Sequence, residues 1–188
     1  MALLSKGYYL LTKNSYAPLN VSTGQLSFGP ADMNNDQVAA GTVDFVNGAI
    51  LDNGMVTIIR TPPVSGGQSG AVKINNAGSV IGFDVLDQST GESQAWIFSP
   101  NEGVKVIKNS ASLSYILVNQ FSDSDVVVGS YSPDGIHSFP MIIANDEALL
   151  AIDLFDIQLP NFPEIRGVNN DGAIIFGASG TSYYGVPQ

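Results

Sequence analysis

A four-fold internal repeat is the feature that most constrains how this chain can fold. Met33 to Gly41 (MNNDQVAAG), Ile74 to Gly82 (INNAGSVIG), Phe121 to Gly129 (FSDSDVVVG) and Val168 to Phe176 (VNNDGAIIF) align without gaps, with starts 41, 47 and 47 residues apart. Each sets an apolar residue before two small polar ones, then a turn-like pair and an apolar run. Three end in Gly at the same place, and in the fourth Gly177 lags by one residue. A repeat of this period marks stacked supersecondary units, none of which can bury its apolar face alone.

A second element follows the first three segments. Gln94-Ala95-Trp96-Ile97-Phe98 leads to Gly103-Val104-Lys105-Val106-Ile107, His137-Ser138-Phe139-Pro140-Met141 to Ala148-Leu149-Leu150-Ala151-Ile152, and Gly48-Ala49-Ile50-Leu51 to Gly54-Met55-Val56-Thr57-Ile58. After the fourth segment only Thr181-Ser182-Tyr183-Tyr184 and four more residues remain. The missing element lies at the other end of the chain, where Gly7 to Leu19 aligns gaplessly with Ala95 to Ile107. Each half-unit reads as a hairpin: Val, Ile, Phe and Tyr fill the runs, while Asn, Asp, Gly and Ser pairs separate them. Four short strands per unit predict an all-β fold, a small β-propeller of four blades with four antiparallel strands each. Pairing of N- and C-terminal strands is expected to close the ring, because an open one exposes strand edges. The expectation is one domain over 1–188, with blades near 31–60, 71–108, 118–153 and 163–188, the last completed by 6–20.

Composition narrows the function classes. The 188 residues carry 7 Lys plus Arg against 17 Asp plus Glu, a formal charge of −10, and no Cys. Disulfides, thiolate zinc sites and cysteine nucleophiles are thereby excluded. The negative balance repels phosphate backbones and anionic lipids, so neither a nucleic-acid partner nor membrane insertion is expected. No apolar stretch reaches bilayer-spanning length, and Gly7 to Thr12 is too short for a secretory signal core. Phosphate-cradling loops, His-Glu-x-x-His and Gly-x-Ser-x-Gly are missing too.

The element Ile74-Asn75-Asn76-Ala77-Gly78-Ser79-Val80-Ile81-Gly82, followed by Gln94-Ala95-Trp96 and His137-Ser138-Phe139, resembles the HAF repeats of bacterial, often extracellular, proteins. That family pairs an Ile-Asn-x-x-Gly-x-Val-x-Gly element with a His-Ala-Phe-like one. Phe121 to Asp125 departs from the pattern by losing both Asn and Gly. The resemblance implies a propeller-like β fold and a secreted or extracellular setting, and it implies no activity.

The candidate sites are modest. Asn34, Asn75 and Asn169, each followed by a second Asn, recur at one position. With Asp36, Asp123, Asp125 and Asp171 they could offer oxygen ligands to Ca²⁺, but only Asp123-Ser124-Asp125 shows the alternation of a calcium loop and a tight turn is the stronger reading. No metal site and no cofactor is expected. His137, the sole histidine, aligns with Gln94 and Gly48, so the repeat does not need it. Asp44, Asp84, Asp87, Glu92 and Asp134 are placed in or near the loops joining second and third strands, where two acids could serve glycoside hydrolysis. Lys73 and Arg166 are expected on innermost strands. The leading expectation is a non-enzymatic binding module that offers its loop face to a glycan or protein ligand. Asp87, Tyr131, Asp134 and His137 would supply polar and stacking contacts, and Arg166 would hold an anionic group at the axis. The alternatives are a sugar hydrolase using two loop-face carboxylates, or a structural repeat that oligomerises.

Overall fold

The computed structural model describes residues 9–12, 15–18, 28–109, 115–132, 136–151, 164–178 and 181–185. Every strand in them belongs to an antiparallel sheet. A hairpin of β1 (Tyr9–Thr12) and β2 (Ser15–Pro18) comes first. The first sheet holds β3 (Phe28–Met33), β4 (Ala39–Val43), β5 (Asn47–Asp52) and β6 (Met55–Arg60). The second holds β7 (Gln68–Ile74), β8 (Val80–Asp87), β9 (Glu92–Ser99) and β10 (Gly103–Val106). The third holds β11 (Leu117–Phe121), β12 (Val127–Tyr131), β13 (Phe139–Ala144) and β14 (Glu147–Leu150). The fourth has three strands, β15 (Glu164–Val168), β16 (Ile174–Ala178) and β17 (Thr181–Gly185). All four sheets run in sequence order, so each repeat is one meander.

The apolar pattern shows why the sheets stack. Along β12 and β13 consecutive residues are buried, as expected where both faces of a sheet are covered. Val127, Met141 and Ile143 pack towards Ile81, Ala95 and Ile97 of the second sheet. Their neighbours Val128 and Ile142 pack towards Ile174 and Phe176 of the fourth. Between the first and second sheets, Trp96 lies with Ala40, Ala71, Ile74 and Val80, its ring against Gly48 and Gly82. A one-residue register slip would send each set to the wrong interface.

One irregularity recurs in all four units. The first strand of each sheet carries a β-bulge, at Ala31, Val72, Asn119 and Arg166, always two residues before the repeat start. At two of the bulges, the first and the third, the side chain that follows reaches the next sheet. Asp32 Oδ2 accepts from the Ile74 amide (3.2 Å), and Gln120 Oε1 accepts from the Val168 amide (2.9 Å). The glycines at 41 and 129 face this region: a Cβ there would collide with the carbonyl oxygens of Gly29 and Leu117. At Gly82 it would strike both the Gly70 carbonyl and the Trp96 ring.

The recurrent asparagines form the turns and also lace the sheets together. Asn34 Oδ1 accepts from the amides of Asp36 and Val38, and Asn169 Oδ1 from those of Asp171 and Ala173. Asn75 Oδ1 accepts from Ser79, while its Nδ2 donates to Ser122 O (2.8 Å) and Asp125 Oδ1 (3.0 Å) in the next sheet. Asn34 Nδ2 likewise reaches Asn75 O, and Asp123 Oδ1 accepts from the Asn76 amide. Replacing Asn75 by alanine should therefore cost about 2–3 kcal/mol, summed over three bonds at roughly 1 kcal/mol each. Asn169→Ala, which removes only the two bonds of a turn cap, should cost about two-thirds of that on the same ground. Urea unfolding of the two variants checks the order; equal losses would show that the cross-sheet bonds add nothing.

Two expectations need correction. Thr181–Gly185 is a full third strand paired along β16, so the third-strand place expected of the N-terminal segment is already filled in the fourth sheet. Among the described residues β1 and β2 pair only with each other, and the ring is not closed by their pairing with the fourth sheet. Asp84 is no loop residue: it lies in β8 and is fully buried.

Candidate functional site

Because the meanders all run the same way, the stack has two unlike ends. The turns between first and second strands, and between third and fourth, gather at one of them, the turn end. The described parts of the second-to-third turns and of the links between sheets lie at the other, the loop end.

The loop end carries most of the expected site residues. Asp87 closes β8, exposed, with Oδ1 accepting from the Ser89 hydroxyl and amide, both at 2.7 Å. Those bonds, the hydroxyl's first, hold its carboxyl below the ordinary carboxylate range and keep it ionised. Tyr131 ends β12, half-buried, its ring tilted against Phe139 at 5.5 Å and packed into the second–third sheet core. His137 is exposed just before β13. Asp134 lies outside the described residues. Arg166 does not join them: it occupies the bulge of β15, exposed, over Gly177 and with Nη1 3.4 Å from Ser182 Oγ. Lys73 lies 3.8 Å from Asp32, one neutralising the other.

The structure adds two aromatics that residue spacing did not single out. Phe45, in the β4–β5 turn, is 75% exposed with φ 60°, and Tyr115, just before β11, is 50% exposed with φ 47°. Bulky residues rarely adopt left-handed backbone, and such strain persists where its surroundings over-determine it. The Tyr115 ring lies on Gly91 of the β8–β9 turn; a Cβ there would come within 2.6 Å of the phenol oxygen. This sets Tyr115 beside the turn that orders Asp87. Ile136, 82% exposed, adds apolar surface at the same end. Only positive φ reveals this signal, and sequence patterning does not display it.

Asp84 is locked in a different structure. Arg60 of the first sheet reaches it through Nε (3.0 Å to Oδ2) and Nη2, a forked pair across the first–second sheet interface. Asp84 is therefore removed from any catalytic pair on the loop face.

At the turn end a cleft of about 480 Å³ spans the second, third and fourth sheets, lined by Glu102, Asp125, Asp146 and Asp171 with Lys105 among them. Lys105 bridges Glu102 (2.7 Å) and Asp146 (3.4 Å), which raise its pKa and in turn leave Glu102 below its ordinary range. These groups are exposed, so the pairs contribute little to stability. No group of three or more His, Cys, Asp or Glu among the described residues is arranged to hold a metal ion.

Compared with known proteins, the chain matches no family model and no curated protein.

Proposed function

We propose that this chain is a non-enzymatic binding module, a propeller-type array of HAF-like repeats that offers its loop end to a glycan or protein ligand. One observation carries the reading: Phe45 stands exposed and Tyr115 lies half-exposed on the Gly91 turn, both in left-handed backbone at the same end of the stack. Neither ring is needed there for core packing, and rings fixed at low conformational cost suit stacking or insertion into a partner. Asp87, already ordered and ionised beside the Tyr115 turn, supplies an acceptor for a hydroxyl or a backbone amide. The hydrolase alternative loses Asp84 to its ion pair with Arg60. The proposed extracellular setting follows from the HAF resemblance alone.

A glycan array and a library of displayed peptides, each screened with the native chain and with Tyr115→Asn, test the reading. Asn tolerates positive φ, so the turn should survive while the ring is lost. Affinity should fall at least tenfold, about 1.4 kcal/mol, with unchanged stability. A ligand that binds Tyr115→Asn and Phe45→Ser as tightly as the native chain, yet loses affinity in Lys105→Glu, would transfer the site to the turn-end cleft. Turnover of a bound sugar would overturn the non-enzymatic reading.

A further inference from the structure

We propose that two copies of this chain pair through β6, edge to edge and antiparallel, so that their first sheets join into one eight-stranded sheet. The proposal goes beyond the loop-end reading and does not depend on it.

β6 is the apolar outer strand of the first sheet, and it lies open. Among the described residues it pairs only with β5. Its run Met55-Val56-Thr57-Ile58-Ile59 carries no charge; Met55 is 70% exposed, Ile58 44%, and Thr57 is exposed between them. Half of the large apolar side chains that stand exposed among the described residues belong to this sheet or to the turn and link beside it. An uncharged edge rich in β-branched residues is a ready template for another strand.

The corresponding strands of the next two sheets are guarded. β10 carries Lys105 within its run, ion-paired to Glu102 and Asp146. Along the outer side of β14 lies Lys108, whose amide donates to Asp146 O and whose carbonyl accepts from the Ala148 amide, both at 2.9 Å. A charge on the edge and a segment laid over it are ordinary devices that keep sheets from joining. The run from Met55 to Ile59 has neither.

A second copy fits this edge in shape and in charge. Two identical edges satisfy each other when they run antiparallel about a two-fold axis normal to the sheet, which keeps every side chain on its own face. The axis then passes through a residue. Placed at Thr57, it sets Thr57 against its own copy and Val56 against Ile58, cross-strand pairs of β-branched residues that favour a sheet. The same placement brings Arg60, partly exposed while it holds Asp84, beside the turn that follows the partner's Asp52. Opposite charges therefore meet at both ends of the contact, in a chain whose net charge of −10 otherwise repels its copy. The bulge at Ile59 and then Pro62-Pro63, which have no amide to donate, end the ladder. The contact is isologous and closes at two chains. A single strand pair buries less than a standard interface, so association should be reversible, and salt should strengthen it by screening the net charge.

Sedimentation of the full chain over a wide concentration range tests this. The native mass should rise from one chain towards two and no further, and at lower concentration when salt is added. Thr57→Lys sets two cations against each other on the axis. It should weaken pairing at least tenfold with an unchanged melting temperature, because Thr57 is exposed. The chain has no Cys, so Thr57→Cys supplies one thiol per copy. Oxidised with diamide, it should cross-link into a covalent dimer, whereas Tyr184→Cys, also at an exposed position, should not at the same concentration. A native chain that stays single at every concentration overturns the proposal. If that single chain binds a labelled peptide of alternating Val and Thr and loses it in Thr57→Lys, the edge receives a foreign strand instead. A native dimer that survives Thr57→Lys, or equal cross-linking of the two cysteine variants, moves the contact elsewhere and also overturns it. Loop-end binding measured on Thr57→Lys reports on the proposed function separately.

Discussion

Replacing Trp96 by alanine should cost about 3–5 kcal/mol, the range for removing a fully buried large aromatic. For a domain of this size that lowers the melting temperature by roughly 10 °C, at about 2–4 °C per kcal/mol. The ring is wholly buried between the first and second sheets, against two glycines that leave no other atoms to fill the space. Collapse into the gap is resisted because Gly48 and Gly82 belong to two paired sheets that cannot close on each other independently. Trp96→Phe should cost less than half as much. It keeps most of the contact and also removes a buried indole N–H that finds no hydrogen-bond partner among the described residues. Calorimetry on the three proteins decides; a loss under about 1 kcal/mol for the alanine variant would mean that the interface relaxes freely. As the sole tryptophan, Trp96 also makes native fluorescence a direct reporter of this interface.

The second large effect is expected at Arg60. Arg60→Met strips the partner from a carboxylate with no solvent exposure, and breaking a buried pair from one side costs about 3–5 kcal/mol. Because the guanidinium is itself partly exposed, the lower part of that range applies. Arg60→Met combined with Asp84→Leu removes both charges and should recover most of the loss, since an apolar pair of similar volume fills such a site well. The complete double-mutant cycle by denaturant unfolding measures the coupling. If the double variant is as unstable as the sum of the singles, the pair is not a coupled unit and packing alone explains Arg60.

Much of the architecture was legible because the repeat is written in turn chemistry. Asn75-Asn76-Ala77-Gly78 announces a tight turn through its own residues, and Gly78 does sit at φ 83°. The four-strand meanders followed from that spacing. Three features were not legible, each for a physical reason. The bulge positions hold Ala31, Val72, Asn119 and Arg166, which share no chemistry, because a bulge is a property of pairing between strands. Asp84 pairs with a residue 24 positions earlier, and nothing local distinguishes a buried, partnered acid near a strand end from a loop acid. The fourth unit's third strand was underestimated because Thr181–Gly185 is mostly Thr, Ser, Tyr and Gly, with no aliphatic residue. At the site, the acidic and histidine candidates at Asp87 and His137 do reach the loop end. Phe45 and Tyr115 were hidden because backbone strain leaves no trace in residue order.

The lacing between neighbouring sheets is uneven. Asn34, Asn35 and Asp32 tie the first seam, and Asn75 with Asn76 ties the second through both turn residues. At the third seam Ser122 stands where the others have asparagine; its hydroxyl serves its own turn, and Gln120 alone crosses with a side-chain bond among the described residues. That joint therefore depends on close apolar fit, Val128 and Ile142 against Ile174 and Phe176, more than on directional bonds, and a substitution that spoils shape there has fewer polar ties to fall back on than one at either of the earlier seams.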